Sequence, residues 1–118
     1  MTARWHIQRE EGRYLLSRRL PARFDVEATS VFPPMDPARL ARQARQDVWR
    51  MLKGLRGFTP VIEVTLGHER VILRAGGQVP KGSALPKGIN ADLADLLSDP
   101  ARRARWSTWA ATNSRGRA

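Results

Sequence analysis

The stretch DPARLARQARQDVWRMLKGLR, Asp36 to Arg56, decides how the rest of the chain is read. Wound at about 100° per residue, Leu40, Ala41, Ala44, Val48, Met51, Leu52 and Leu55 form one apolar stripe. Arg39, Arg42, Arg45, Arg50, Lys53 and Arg56 occupy the remaining surface, with Trp49 among them. The pattern predicts an amphipathic helix with one face for a core and the other for an anion. Asp36 is a suitable N-cap, and Pro37 fits the first helical position, where its missing N–H costs nothing. Gly57 is a natural left-handed stop, with Gly54 as an earlier end.

Upstream of this helix the chain reads as strands. Trp5, Ile7, Tyr14 and Leu16 share a face if Glu11-Gly12 turns a hairpin that pairs Ile7 with Leu16. Phe24, Val26 and Ala28 alternate with Asp25, Glu27 and Thr29 in a third strand, which ends before Pro33-Pro34 because proline cannot donate to a ladder. Downstream, Val61, Ile62, Val64 and Leu66 lead through a Gly67-His68 turn into Val71, Ile72 and Leu73. That turn sets Val64 opposite Val71 and Ile62 opposite Leu73, leaving Glu63, Thr65, Arg70 and Arg74 on the other face.

The segment GGQVPKGSALPKGIN, residues 76–90, is rich in glycine and proline and predicts a basic loop carrying Lys81 and Lys87. Asn90 is expected to cap a short helix through Leu97, and Asp99-Pro100 to open another bearing Arg102, Arg103, Arg105, Trp106 and Trp109. Two tryptophans three apart are neighbours on a helix and are expected to dock it on the sheet. DPARLAR at 36–42 returns as DPARRAR at 99–105, a repeated capping signal and not a duplication. The fold class expected is α+β: an antiparallel sheet of about five strands, order β-β-β-α-β-β and then one or two short helices, packed on the long amphipathic helix. One domain is expected over 1–112, with a basic flexible tail at 113–118.

A chain of 118 residues is long enough for a core without staples, and with no cysteine it has neither disulfides nor thiolate metal sites. No run resembles a signal-peptide core or a membrane span, so a cytoplasmic protein that does not contact membrane is expected. All but Lys53, Lys81 and Lys87 of the 21 basic residues are arginine, a bias that a GC-rich bacterial genome produces by itself. Such bias exchanges cations and does not remove acids, so the net charge of +10 still calls for a polyanionic partner.

The expected function is therefore a small basic domain that binds nucleic acid, DNA or RNA, chiefly through phosphates and with low sequence specificity. The residues singled out are Arg39, Arg42, Arg45, Arg50, Lys53 and Arg56 for phosphate, Trp49 for base stacking, and Lys81 and Lys87 as loop cations. The competing expectation is an assembly subunit whose basic helix docks an acidic protein partner, with Trp106 and Trp109 as interface anchors. A small nuclease is a third, in which Asp25, Glu27 and Glu63 would gather a metal ion, although the (Asp/Glu)-x-Lys element of many nucleases is absent. No cofactor is expected, and His6 and His68 lack ligand-like spacing. The element order differs from that of a double-stranded-RNA-binding domain, and neither an RNP motif nor a GXXG loop is present.

Overall fold

A carboxylate and a proline start the long helix as the sequence requires. In the computed structural model, which describes residues 5–111, α1 spans Pro37–Leu52, and Asp36 Oδ2 accepts the Arg39 N–H at 2.8 Å. The helix closes on Lys53, whose N–H donates to the Trp49 carbonyl at 2.8 Å. It thus stops at the earlier of the two glycines and leaves Arg56 beyond its end. Leu40, Ala41, Ala44 and Val48 are fully buried. The expected tail at 113–118 lies outside the described residues.

Five strands form one antiparallel sheet in the order β1-β2-β4-β5-β3: β1 His6–Glu10, β2 Arg13–Ser17, β3 Val26–Phe32, β4 Thr59–Gly67 and β5 Arg70–Gln78. Two helices follow, α2 Ile89–Ser98 and α3 Pro100–Ala110. The protein is α+β, with the strand and helix order that the sequence predicts. α1 packs on β4 and β5 at the centre of the sheet, α2 on β3, and α3 on α1. A single apolar cluster runs through these contacts, including Phe32, Leu40, Ile62, Leu73, Leu93, Leu97 and Trp106.

The first hairpin has the expected register, Ile7 opposite Leu16. Ile7 itself is 50% exposed, because β1 is the sheet edge and α1 lies two strands away. The second hairpin turns at His68-Glu69 and not at Gly67-His68: Gly67 pairs with Arg70, Val64 with Leu73, and Ile62 with Ala75. Glu69 takes the left-handed backbone, φ 55°, that the glycine was expected to supply. Moving a turn by one residue moves partners by two, so every side chain keeps its face and the inward set survives.

The third strand starts later than its alternation suggests. Phe24 belongs to the β2–β3 connection, its ring 4.0 Å below the Arg74 guanidinium on the charged side of the sheet. Asp25 closes that connection by accepting the Val79 N–H at 2.9 Å. Asn90 does not cap α2; Gly88, with φ 80°, precedes the helix, and Asn90 Oδ1 instead accepts the Glu27 N–H of β3 at 2.9 Å. Arg103 of α3 donates to the Val31 carbonyl at 2.6 Å, so the outer side of β3 is bonded near both ends. Trp106 is buried and packs on Phe32 with ring centroids 6.1 Å apart. Trp109 docks nothing and is 62% exposed. Three residues along a helix turn the side chain far enough for one indole to enter the core and its neighbour to miss it.

Candidate nucleic-acid interface

One acid within α1 decides which of its cations remain free. Asp47 falls at the margin of the apolar stripe, is 6% exposed, and faces α3. It accepts the Trp106 Nε1–H at 2.7 Å, Arg50 at 3.1 Å and a short bond from Arg105, with Arg102 Nε 3.9 Å away. A carboxylate leaves water at a large cost unless several donors replace its hydration, and these three bonds do so, with Arg102 adding charge nearby. Arg50, expected on the binding face, is therefore held in this network.

The opposite flank of α1 carries Arg42, Arg45, Trp49 and Lys53, spaced so that successive turns keep them in line. Arg45 lies over the Trp5 ring at 4.6 Å, and Arg18, from the end of β2, reaches the same ring at 5.5 Å. Burial first, and then repulsion from Arg42 and Arg18, pulls the Arg45 guanidinium below its ordinary value. Among the described residues, Arg18, Arg42, Arg45 and Lys53 form no salt bridge. Like charges gathered without a counter-charge raise the energy of the free protein and lower that of a complex with an anion. Trp49 is 41% exposed and stacks on Phe58, with centroids 6.4 Å apart and planes 18° from parallel. One face of that indole is fixed by packing, and the side chain is still open to a partner.

The remaining residues singled out in the sequence divide three ways. Arg39 lines a groove of about 350 Å³ with Arg42, Gln43 and the exposed Trp109. Arg56 and Lys81 lie at the end of the sheet where β2 and β5 finish and β4 begins, Arg56 against Val79 and Leu85, and Lys81 beside Arg19 and Arg23. Lys87 is exposed in the same loop and lines none of these clefts. Trp5, Arg18 and Arg19 were not singled out in the sequence. The signal for the arginines was the Arg18-Arg19 pair directly after a strand, and its place near the helix depends on the sheet order.

The acids on the outer sheet face are engaged by arginines. Glu63 meets Arg13 and Arg74, Glu27 accepts from Arg74 at 2.6 Å, and Asp25 accepts from Arg23 at 3.1 Å. Hydrogen bonding to Arg74 holds the Glu27 carboxyl below its ordinary value, and Arg23 does the same to Asp25, helped by the Val79 N–H. No group of three His, Asp or Glu side chains converges as metal ligands among the described residues, and none of their helices is long and apolar enough to cross a membrane. Comparison of the chain with protein-family models, with curated proteins and with solved structures found no match.

Proposed function

We propose that this protein is a small nucleic-acid-binding domain that holds the phosphate backbone on the free flank of α1. Arg18, Arg42, Arg45 and Lys53 supply the cations, and Trp49 supplies a stacking surface for a base. The observation that carries this reading is the pair of Arg18 and Arg45 over the Trp5 ring, with Arg42 near enough to repel Arg45, beside an exposed Trp49. Phosphate contacts attract any sequence, so affinity should be salt-dependent and weakly specific.

The test is fluorescence anisotropy with matched single- and double-stranded DNA and RNA across a salt series, with heparin as the polyanion control. Preference for one nucleic acid over heparin, weakened by Arg42→Gln with Lys53→Gln, supports the reading. Binding no tighter than to heparin, or unchanged in that variant, overturns it.

The groove formed by Trp109, Arg39, Arg42 and Gln43 favours a second reading, an acidic protein partner anchored by one exposed indole. Trp109→Ala should abolish docking of such a partner and leave nucleic-acid affinity nearly unchanged.

A further inference from the structure

Arg18 and Arg19 directly follow β2, and their side chains go to opposite sides of the sheet. Arg18 lies over the Trp5 ring at 5.5 Å, on the side where Arg45 of α1 meets the same ring. Arg19 lines a cleft of about 270 Å³ with Thr59, Gln78, Pro80 and Lys81. Thr59 and Gln78 are paired across the ladder in the same alternating set as Glu63 and Arg74, on the face away from α1. Two neighbouring residues, whose Cα atoms are about 3.8 Å apart, thus carry positive charge to both faces at the end of the sheet.

Lys81 is fixed there by packing. Gly57, with φ 74°, approaches Pro80 so closely that a Cβ on it would stand 2.5 Å from Pro80 Cγ. The next residue, Phe58, stacks on Trp49. A line of contacts therefore ties the segment that bears Lys81 to the exposed indole of α1. Arg56, between the end of α1 and Gly57, lines an adjoining cleft with Val79 and Ser83.

Among the described residues, Arg19, Arg56 and Lys81 form no salt bridge, as is true of Arg18, Arg42, Arg45 and Lys53. Arg23, in the same cleft as Arg19, is neutralised by Asp25 at 3.1 Å. Free charge is thus not confined to the flank of α1; it continues round the end of the sheet. A polyanion that meets all of it has to turn a corner on a molecule whose smaller dimensions are 31 and 27 Å. A duplex is nearly straight over such a distance, about nine base pairs against a persistence length of about 150, and meets one side. A single strand can bend at every nucleotide, and its unpaired bases offer the faces that Trp49 would stack.

We infer that the partner is a single-stranded nucleic acid whose backbone runs from the free flank of α1 past Arg18 and over the end of the sheet to Arg19, Lys81 and Arg56. The inference rests on the nucleic-acid reading of α1 and makes it definite by naming the kind of strand.

The experiment titrates the full chain, by anisotropy across a salt series, with uniform single strands of DNA and of RNA that do not fold on themselves, and with duplexes of the same length. The single strand should bind several-fold tighter than its duplex, and the tighter of the DNA and RNA strands identifies the sugar. Arg19→Gln with Lys81→Gln should lower the single-strand salt slope by about 0.7 for each phosphate contact removed, about 1.4 in all, and leave the duplex slope unchanged. Arg42→Gln with Lys53→Gln should lower both slopes. Arg19 and Lys81 are exposed, so their variant should keep the parent's thermal midpoint.

A single-strand slope unchanged by Arg19→Gln with Lys81→Gln overturns the inference; if Arg42→Gln with Lys53→Gln still lowers it, the reading of α1 stands alone. A duplex slope lowered as much as the single-strand slope also overturns it, since a straight rod would then reach both sides. If only the Arg19 and Lys81 variant weakens the strand, α1 is not the interface, and the reading on which the inference rests falls with it.

Discussion

The segments DPARLAR at 36–42 and DPARRAR at 99–105 start helices in the same way and then part company. Asp36 accepts the Arg39 N–H at 2.8 Å and Asp99 accepts the Arg102 N–H at 2.9 Å, each with proline at the first turn. Beyond the caps, Arg39 and Arg42 of the first segment form no salt bridge among the described residues. In the second, Arg102 and Arg105 converge on Asp47, and Arg103 binds Ser30, the Val31 and Leu97 carbonyls and the face of Phe32. Equal local chemistry gives one set of cations that holds the fold together and one left for a partner. What separates them is a neighbour distant in sequence, and counting charges on a helix does not identify a binding surface until that neighbour is known.

The strongest way to break this contrast is at Asp47. Asp47→Ala leaves the Trp106 N–H buried without an acceptor and takes the counter-charge from Arg50 and Arg105, while Arg102 keeps Asp99. A loss of roughly 3 kcal/mol is expected in urea unfolding, the low end for a broken buried pair because the arginines stay partly hydrated. The same variant frees Arg50 and Arg105, so at low salt its affinity for a polyanion should rise while its stability falls. Unchanged stability would mean that Asp47 does not hold α3.

The contrast is sharpened by two double substitutions expected to act in opposite ways. Arg102→Gln with Arg105→Gln should lower the midpoint of thermal unfolding by several degrees, at about 4–8 °C per kcal/mol for a domain near this size, and leave nucleic-acid affinity in place. Arg42→Gln with Lys53→Gln should leave the midpoint unchanged and reduce the salt slope by about 0.7–0.9 for each phosphate contact removed. If both pairs alter the same property, the division into structural and free cations is wrong.

The caps should be nearly equal. Asp36→Ala and Asp99→Ala are each expected to cost about 1 kcal/mol, since the lost bond is the same and only the later residues differ. The smallest effect concerns the outer sheet face. The Glu27 and Asp25 carboxyls lie below their ordinary values through Arg74 and Arg23, so their folded-state values are depressed. The stabilisation is complete above the ordinary carboxylate range and is lost as pH falls through the folded values. Glu27→Gln should therefore lower stability slightly at neutral pH, with the difference from the parent chain closing as pH falls, so that part of the acid limb of the stability–pH curve is flattened.

Much of the fold was legible because it rests on local rules. Asp36-Pro37 and Asp99-Pro100 mark helix starts through bonds made within one turn, and Glu11-Gly12 sets the first hairpin by turn geometry. The second hairpin was legible in its faces and not in its register, because alternation with period two tolerates a shift of two. The placement of Asn90, and the fates of Arg50, Trp106 and Trp109, depend on what lies opposite in space. Arg42, Arg45, Trp49 and Lys53 could be read from helical periodicity alone. Trp5 and Arg18 join them only because β2 lies beside β4, under the helix, and no local pattern records that order.

The bonds that Asn90 and Arg103 make to the outer side of β3 also bear on how this molecule meets copies of itself. A sheet open at both sides can recruit strands without end and grow into fibres. Here these two bonds obstruct one side, so among the described residues β1 is the edge left for pairing by backbone, and two chains that met there would use up each other's open ladder. Self-association through the sheet would then end at a closed pair and not grow into a fibre.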